Sequence, residues 1–315
     1  MKRSLLVLAA ACGSAKPPPP TAAEQIGPAI AAAMAAADHT RAPWRCAAAD
    51  LPALVVPPIP SWTANEHGLV HAGNDLVLGV IADAGGAAPK TLAALGRLRE
   101  KMDAAHADAI VTLGGMGASQ HDLEATLGVL AAPRTGKPAA PVIALPGDLE
   151  AETAATAAIA ALRARGAIVV DGRLARWIGA GSAATLATVP GAATPVDDAD
   201  GCAWASDDVS RIYAELAGKP GLRIALIAGA PREQHGGEIT GELALVPEPA
   251  IDLIVHGPTR PEPSPEARGG RDGARLNISP GTSDASPRLP ETKPPAAGIL
   301  VIRGEAWTWS PLVDR

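Results

Sequence analysis

The run Leu76-Val77-Leu78-Gly79-Val80-Ile81-Ala82, closed by Asp83-Ala84-Gly85-Gly86, decides the fold. An almost unbroken apolar run of this length that ends in acid and glycine matches a strand buried on both faces. Just after it, Leu92, Leu95, Leu98, Met102 and Ala105 share one face of a helix, and Arg97, Arg99, Glu100, Lys101 and Asp103 lie outside it. Ala109–Leu113 repeats the strand pattern and ends in Gly114-Gly115-Met116-Gly117. Ser119, with Asp122 three residues on, predicts a capped helix start, and that helix runs to Ala132. Val142–Leu145 is a third strand, closed by Pro146-Gly147-Asp148, and a helix from Glu150 to Arg165 stops at Gly166. Strands crossed over by helices predict an α/β body.

The second half changes character. Strands are expected at Ile168–Val170, Ala184–Val189, Arg223–Ala228, Ile251–Val255, Ala274–Ile278, Gly298–Ile302 and Ala306–Trp309, with one helix at Ser206–Ala217. More strands and fewer helices predict a second sheet packed on the first. Pro258–Pro265 and Pro287–Pro295 must be loops, because proline cannot donate to a ladder.

Composition bounds what such a body can do. Hydrophobic residues make up 47% of 315, enough for a sizeable core, yet there is no Phe and only one Tyr. Close packing of small side chains must therefore replace aromatic bulk, with six Trp as the large fillers. Net charge is −6 and no Lys/Arg stripe is interleaved with aromatics, so nucleic acid is not an expected partner.

In an α/β protein chemistry gathers where strands end. In order, those ends are Asp83-Ala84-Gly85, Gly114-Gly115-Met116, Gly147-Asp148-Leu149-Glu150, Ala228-Gly229-Ala230-Pro231 and His256-Gly257-Pro258-Thr259-Arg260. Over residues 75–310 this layout resembles the five blocks of the calcineurin-like metallophosphoesterases: Asp-x-His, Gly-Asp, Gly-Asn-His-Asp/Glu, a lone His, and Gly-His-x-His. Asn277-Ile278-Ser279-Pro280-Gly281-Thr282 resembles the strand and turn that follow the last block. The resemblance implies two packed mixed sheets flanked by helices. It also implies two metal ions bridged by a carboxylate and by a water that attacks phosphorus.

Position by position the resemblance leaves few ligands. Asp83 matches the first aspartate and Asp148 stands for the asparagine. Gly85 and Gly115 replace the first histidine and the bridging aspartate, and Leu149 replaces the catalytic histidine. Gly229, Pro258 and Arg260 replace the remaining histidines. Neither glycine nor leucine coordinates a metal, so the expected cofactor is none, with one divalent ion on Asp83 and Asp148 as the alternative. Arg260 would take the place of the lost cation by pairing with Asp83, or else point into water. The glycines after the strands would cradle a phosphate or simply make tight turns. His235 and His256 would approach the pocket or be satisfied by backbone. Neither a nucleophilic triad nor a dinucleotide fingerprint is present.

The N-terminus lies outside the fold. Lys2 and Arg3, the apolar run from Leu5 and the small residues Ala9-Ala10-Ala11 before Cys12 resemble a bacterial lipoprotein signal, and Pro17–Pro20 follow as a tether. The resemblance implies lipidation at Cys12 and a membrane anchor on the periplasmic side, with the outer membrane favoured because no acidic residue follows Cys12. Three parts are therefore expected: a signal and tether at 1–20, an Ala/Pro-rich arm at 21–74 and the phosphoesterase-type body at 75–315. Cys46 and Cys202 would pair as a disulfide in an oxidising compartment or remain free thiols. The functional expectation is an exported protein acting by binding an envelope partner or small ligand. A weak metal-dependent phosphoesterase is the alternative.

Overall fold

The computed structural model describes residues 44–133, 139–192, 201–229, 233–235, 238–240, 251–258, 261–271, 276–285 and 293–314. The signal, Cys12 and Arg260 lie outside them.

In chain order the first strands are β1 (Trp44–Arg45), β2 (Trp62–Asn65), β3 (Gly68–His71), β4 (Asp75–Ile81), β5 (Ala109–Leu113) and β6 (Val142–Leu145). Then come β7 (Val169–Asp171), β8 (Trp177–Ala180), β9 (Ala184–Val189), β10 (Cys202–Ala203), β11 (Leu222–Ile227) and β12 (Glu233–His235). The last are β13 (Glu238–Thr240), β14 (Leu253–His256), β15 (Ala267–Gly270), β16 (Leu276–Ile278), β17 (Ala296–Arg303) and β18 (Ala306–Val313). Four helices interrupt them among the described residues: α1 (Pro89–Ala104), α2 (Gln120–Leu130), α3 (Glu152–Ala164) and α4 (Ser206–Ala217).

Two mixed sheets of seven strands carry the architecture, ordered β15-β18-β17-β4-β5-β6-β7 and β16-β14-β11-β9-β8-β3-β2. In the first, β4 to β7 are parallel, while β17 and β18 close the other side antiparallel. In the second, β9, β11, β14 and β16 are parallel. The expected two-sheet α/β sandwich is therefore the observed fold.

Alternation places the core. Leu78, Val111, Ile143 and Leu300 of the first sheet meet Leu186, Ile224, Leu226 and Val255 of the second in one buried layer. The first sheet's other face carries Ile110 and Val142 under Leu95, Leu98, Met102, Leu127 and Ile159 of α1, α2 and α3. Helix α4 covers the second sheet's outer face with Ile212, Tyr213 and Leu216 over Ala225 and Ile227.

Local chemistry sets the helix ends. Pro89 opens α1, where a missing N–H costs nothing. Ser119 accepts from the Asp122 N–H at 3.1 Å to start α2. Gly166, at φ +82°, closes α3 in the left-handed conformation that glycine adopts without strain.

The boundary expected at residue 74 needs correction. β2 and β3 lie within the stretch taken as an arm, yet they form the edge of the second sheet, β3 pairing with β8 from Gly68↔Trp177 to His71↔Ala180. They escape periodicity because each spans four residues and mixes Gly, Asn and His among the apolar positions. Ahead of them, Cys46 and Cys202 form a disulfide across the short β1–β10 pairing.

Candidate functional site

All five expected strand ends converge at one end of the sandwich, and glycine makes the convergence possible. A Cβ added to Gly114 after β5 would lie 2.8 Å from Gly147 Cα after β6 and 3.4 Å from Ala228 Cβ after β11. A Cβ on Gly257, after β14, would run into the backbone of Ala228 and Leu113. The loops are joined by backbone hydrogen bonds: Asp83 N–H to Gly114 O and Gly85 N–H to Gly115 O, both at 2.9 Å. The turn after β16 reaches the same loop, where Thr282 Oγ1 donates to Asp83 O at 2.9 Å.

Backbone conformation marks this end as unusual. Gly85, Gly86, Gly114 and Gly115 all have positive φ, and so does Asp83 at 51°. A non-glycine residue held there is strained and persists because its surroundings fix it. At Asp83 the carbonyl accepts from Ser283 N and Asp284 N as well as from Thr282.

At the positions where the resemblance expects metal ligands, the chain packs closely against its glycines. A Cβ at Gly115 would sit 2.9 Å from Asp83 Cα and 3.2 Å from Asp83 Oδ1, so no carboxylate could project from that position without moving the Asp83 loop. At Gly85 the added Cβ would lie 2.8 Å from Asp284 Oδ2. That carboxylate accepts from Thr91 Oγ1 at 3.2 Å. Gly229 is closed off by the Gly191 carbonyl, 2.9 Å from its added Cβ.

Asp148 and Leu149 are half-buried in the loop after β6, and Pro258 is half-buried after β14. His256 is buried, with Nδ1 2.6 Å from the Gly257 carbonyl. Among the described residues no three His, Cys, Asp or Glu side chains gather as a metal requires. The described residues therefore do not fit the two-metal centre that the resemblance implies.

Glu150 holds the centre of the arrangement. Its buried carboxyl accepts from Met116 N at 2.6 Å, Gly147 N at 2.8 Å and Gly115 N at 3.2 Å. It thus ties the loop after β5 to the loop after β6. Burial pushes its pKa up to about 7, and the neighbouring Asp148 adds to the rise, against the pull of the three N–H donors. Sequence places Glu150 in the third block but gives it no partner, since every donor is a backbone N–H. Asp284 and Thr91 are likewise missed. They meet across a separation of 193 residues, and no motif marks either.

Comparison with known proteins yields a likeness of fold. No family profile matches the chain, and no curated protein matches it in sequence. Solved structures do resemble it. A protein from Thermus thermophilus aligns over 76% of this chain and 99% of its own at 15% identity, with a TM-score of 0.47. A dimetal phosphatase from Danio rerio aligns over 74% and 98% at 11% identity, TM-score 0.45. A metallophosphoesterase from Sphaerobacter thermophilus aligns over 76% and 89% at 14% identity, TM-score 0.36.

Proposed function

We propose that this chain is an exported lipoprotein, anchored through Cys12 at the periplasmic side of the envelope, whose metallophosphoesterase-like body acts by binding and not by hydrolysis. The observation that carries the reading is the close packing at the glycines that stand where ligands are expected: Asp83 lies against Gly115, and Asp284 lies against Gly85. Hydrolysis by the implied route needs a bridging carboxylate and a metal-bound water, and neither has a residue to hold it at Gly115, Leu149 or Gly229. The Cys46–Cys202 bridge supports an oxidising compartment, and the Ala9-Ala10-Ala11-Cys12 run supports lipid attachment.

A second reading rests on Asp83 and Asp148, two carboxylates on converging loops that would hold one ion in a weak phosphoesterase. Metal analysis separates the two. The purified chain is exposed to manganese, zinc and iron, desalted, and its bound metal is counted by elemental mass spectrometry. Substoichiometric metal, unchanged in Asp83→Ala, is the expected result. Near-stoichiometric metal lost in that variant would overturn the reading and make phosphodiester hydrolysis the next assay.

A further inference from the structure

At the other end of β5 and β6, where those strands begin, a cleft of about 230 Å³ opens against the β2–β3 pair. It is lined by Ser61, Trp62, His71, His106, Asp108 and Pro141, among others. Trp62 and His71 are cross-strand partners in the β2–β3 pair, with ring centroids 5.1 Å apart and planes tilted by 56°. The Gly73 N–H points at His71 Nδ1 at 3.4 Å, so in the neutral ring Nε2 carries the proton. Nε2 lies 3.9 Å from Asp108 Oδ1, and the other Asp108 oxygen accepts from the Val77 N–H at 2.8 Å.

Two lining residues hold strained backbone, Ser61 at φ 63° and His106 at φ 58°. His106 ends α1, with its N–H on Asp103 O and the next N–H on Met102 O. That is the position where glycine is usual. Helix termination alone gives no reason for an imidazole there, at the rim of a cleft.

We propose that this cleft binds carbohydrate, taking a neutral pyranose ring. No Lys or Arg lines it among the described residues, and these offer an anion no fixed positive charge. The Asp108 carboxylate is already answered by the Val77 N–H and faces the His71 ring, so a cation is not required. Its lining supplies an indole for the apolar side of a sugar, together with imidazole, hydroxyl and carboxylate groups for its hydroxyls.

The test is saturation-transfer NMR and calorimetric titration of the full chain. The probes are glucose, N-acetylglucosamine and their β-1,4-linked dimers, with inorganic phosphate and 1,5-diaminopentane as anionic and cationic comparisons. At least one saccharide is expected to bind with a Kd on the order of 1 mM or tighter, and about tenfold more weakly in Trp62→Ala. His106→Gly removes the imidazole while relieving a positive φ, so it should fold at least as well as the parent and still bind more weakly. Saturable binding by none of the four sugars, affinity unchanged in both variants, or preference for phosphate or the diamine would overturn the proposal. The cleft lies at the opposite strand ends from the Asp83 loop, so this test and the metal analysis can fail independently.

Discussion

A carboxyl group cut off from water among three N–H donors is under two opposing pulls. At Glu150 the donors favour the charged form, burial favours the neutral one, and burial wins, placing the pKa at about 7. In the unfolded chain the same group titrates near 4.5. The folded state therefore keeps a proton that the unfolded state has released, and stability falls as pH rises between these values. Above pH 7 both states are ionised and the slope ends. The full effect is on the order of 3 kcal/mol. Asp171, also raised by burial, contributes in the same direction. Glu150→Gln removes one titration, so urea unfolding of the oxidised protein between about pH 4.5 and 8 should show a flatter decline in the variant. An identical slope in both would mean that the donors, not burial, set this group's pKa. Glu150 also shows why the site was only partly legible. Asp83, Gly85, Gly115 and Asp148 come to the strand ends where their letters put them, whereas the partners of Glu150 are backbone atoms and leave no letter behind.

At the scale of elements, β18 explains how a core without phenylalanine is filled. Trp307 and Trp309 are both buried between the sheets. Trp307 lies over Gly269 of β15, 2.7 Å from where a Cβ would be, and Trp309 occupies the space above Gly298 of β17. Each glycine on a neighbouring strand thus receives an indole that covers its bare backbone. Trp309 Nε1 also donates to the Ser264 carbonyl at 3.1 Å, which satisfies its one polar atom. Gly298→Ala would force the Trp309 ring out of place and should cost about 1–3 kcal/mol, measurable as a fall in the urea midpoint with unchanged slope. A neutral result would show that β17 yields there more easily than a close-packed core allows. Strand legibility follows the same physics. β5, β6 and β9 end where their apolar runs end, because burial on both faces leaves a continuous signal. β2, β3 and β8 are interrupted by Thr, Asn, Gly or His, so no continuous apolar run emerges. Helix α4 matches its expected limits because its polar and apolar faces divide cleanly.

Across the whole molecule, the segment at residues 44–46 is held by three different devices. The Trp44 ring packs beneath the Arg173 guanidinium at 4.7 Å. Arg45 makes two hydrogen bonds to Asp208 at the start of α4, at 2.8 and 2.9 Å. Cys46 is bonded to Cys202, closing a sequence separation of 156. Cys202 N–H in turn donates to Gly147 O, so the bridge fastens the segment to the loop that also carries Glu150. Gly191 leaves room for the sulfur atoms, since a Cβ there would lie 2.7 Å from one and 2.8 Å from the other. Arg45 is exposed, so its pair with Asp208 adds little by itself. The covalent link acts differently, because it restricts the unfolded chain, and a loop of this length gives about 5 kcal/mol as the upper value. Replacing both cysteines by serine, or reducing the bridge, should therefore lower the unfolding free energy by about 2–5 kcal/mol. The decisive comparison is urea unfolding with and without reductant, run in parallel on the parent and the double variant. If reductant destabilises the parent and leaves the variant unmoved, the loss belongs to this bridge. A parent indifferent to reductant would mean that packing at Trp44 and the Arg45–Asp208 pair already hold the segment in place.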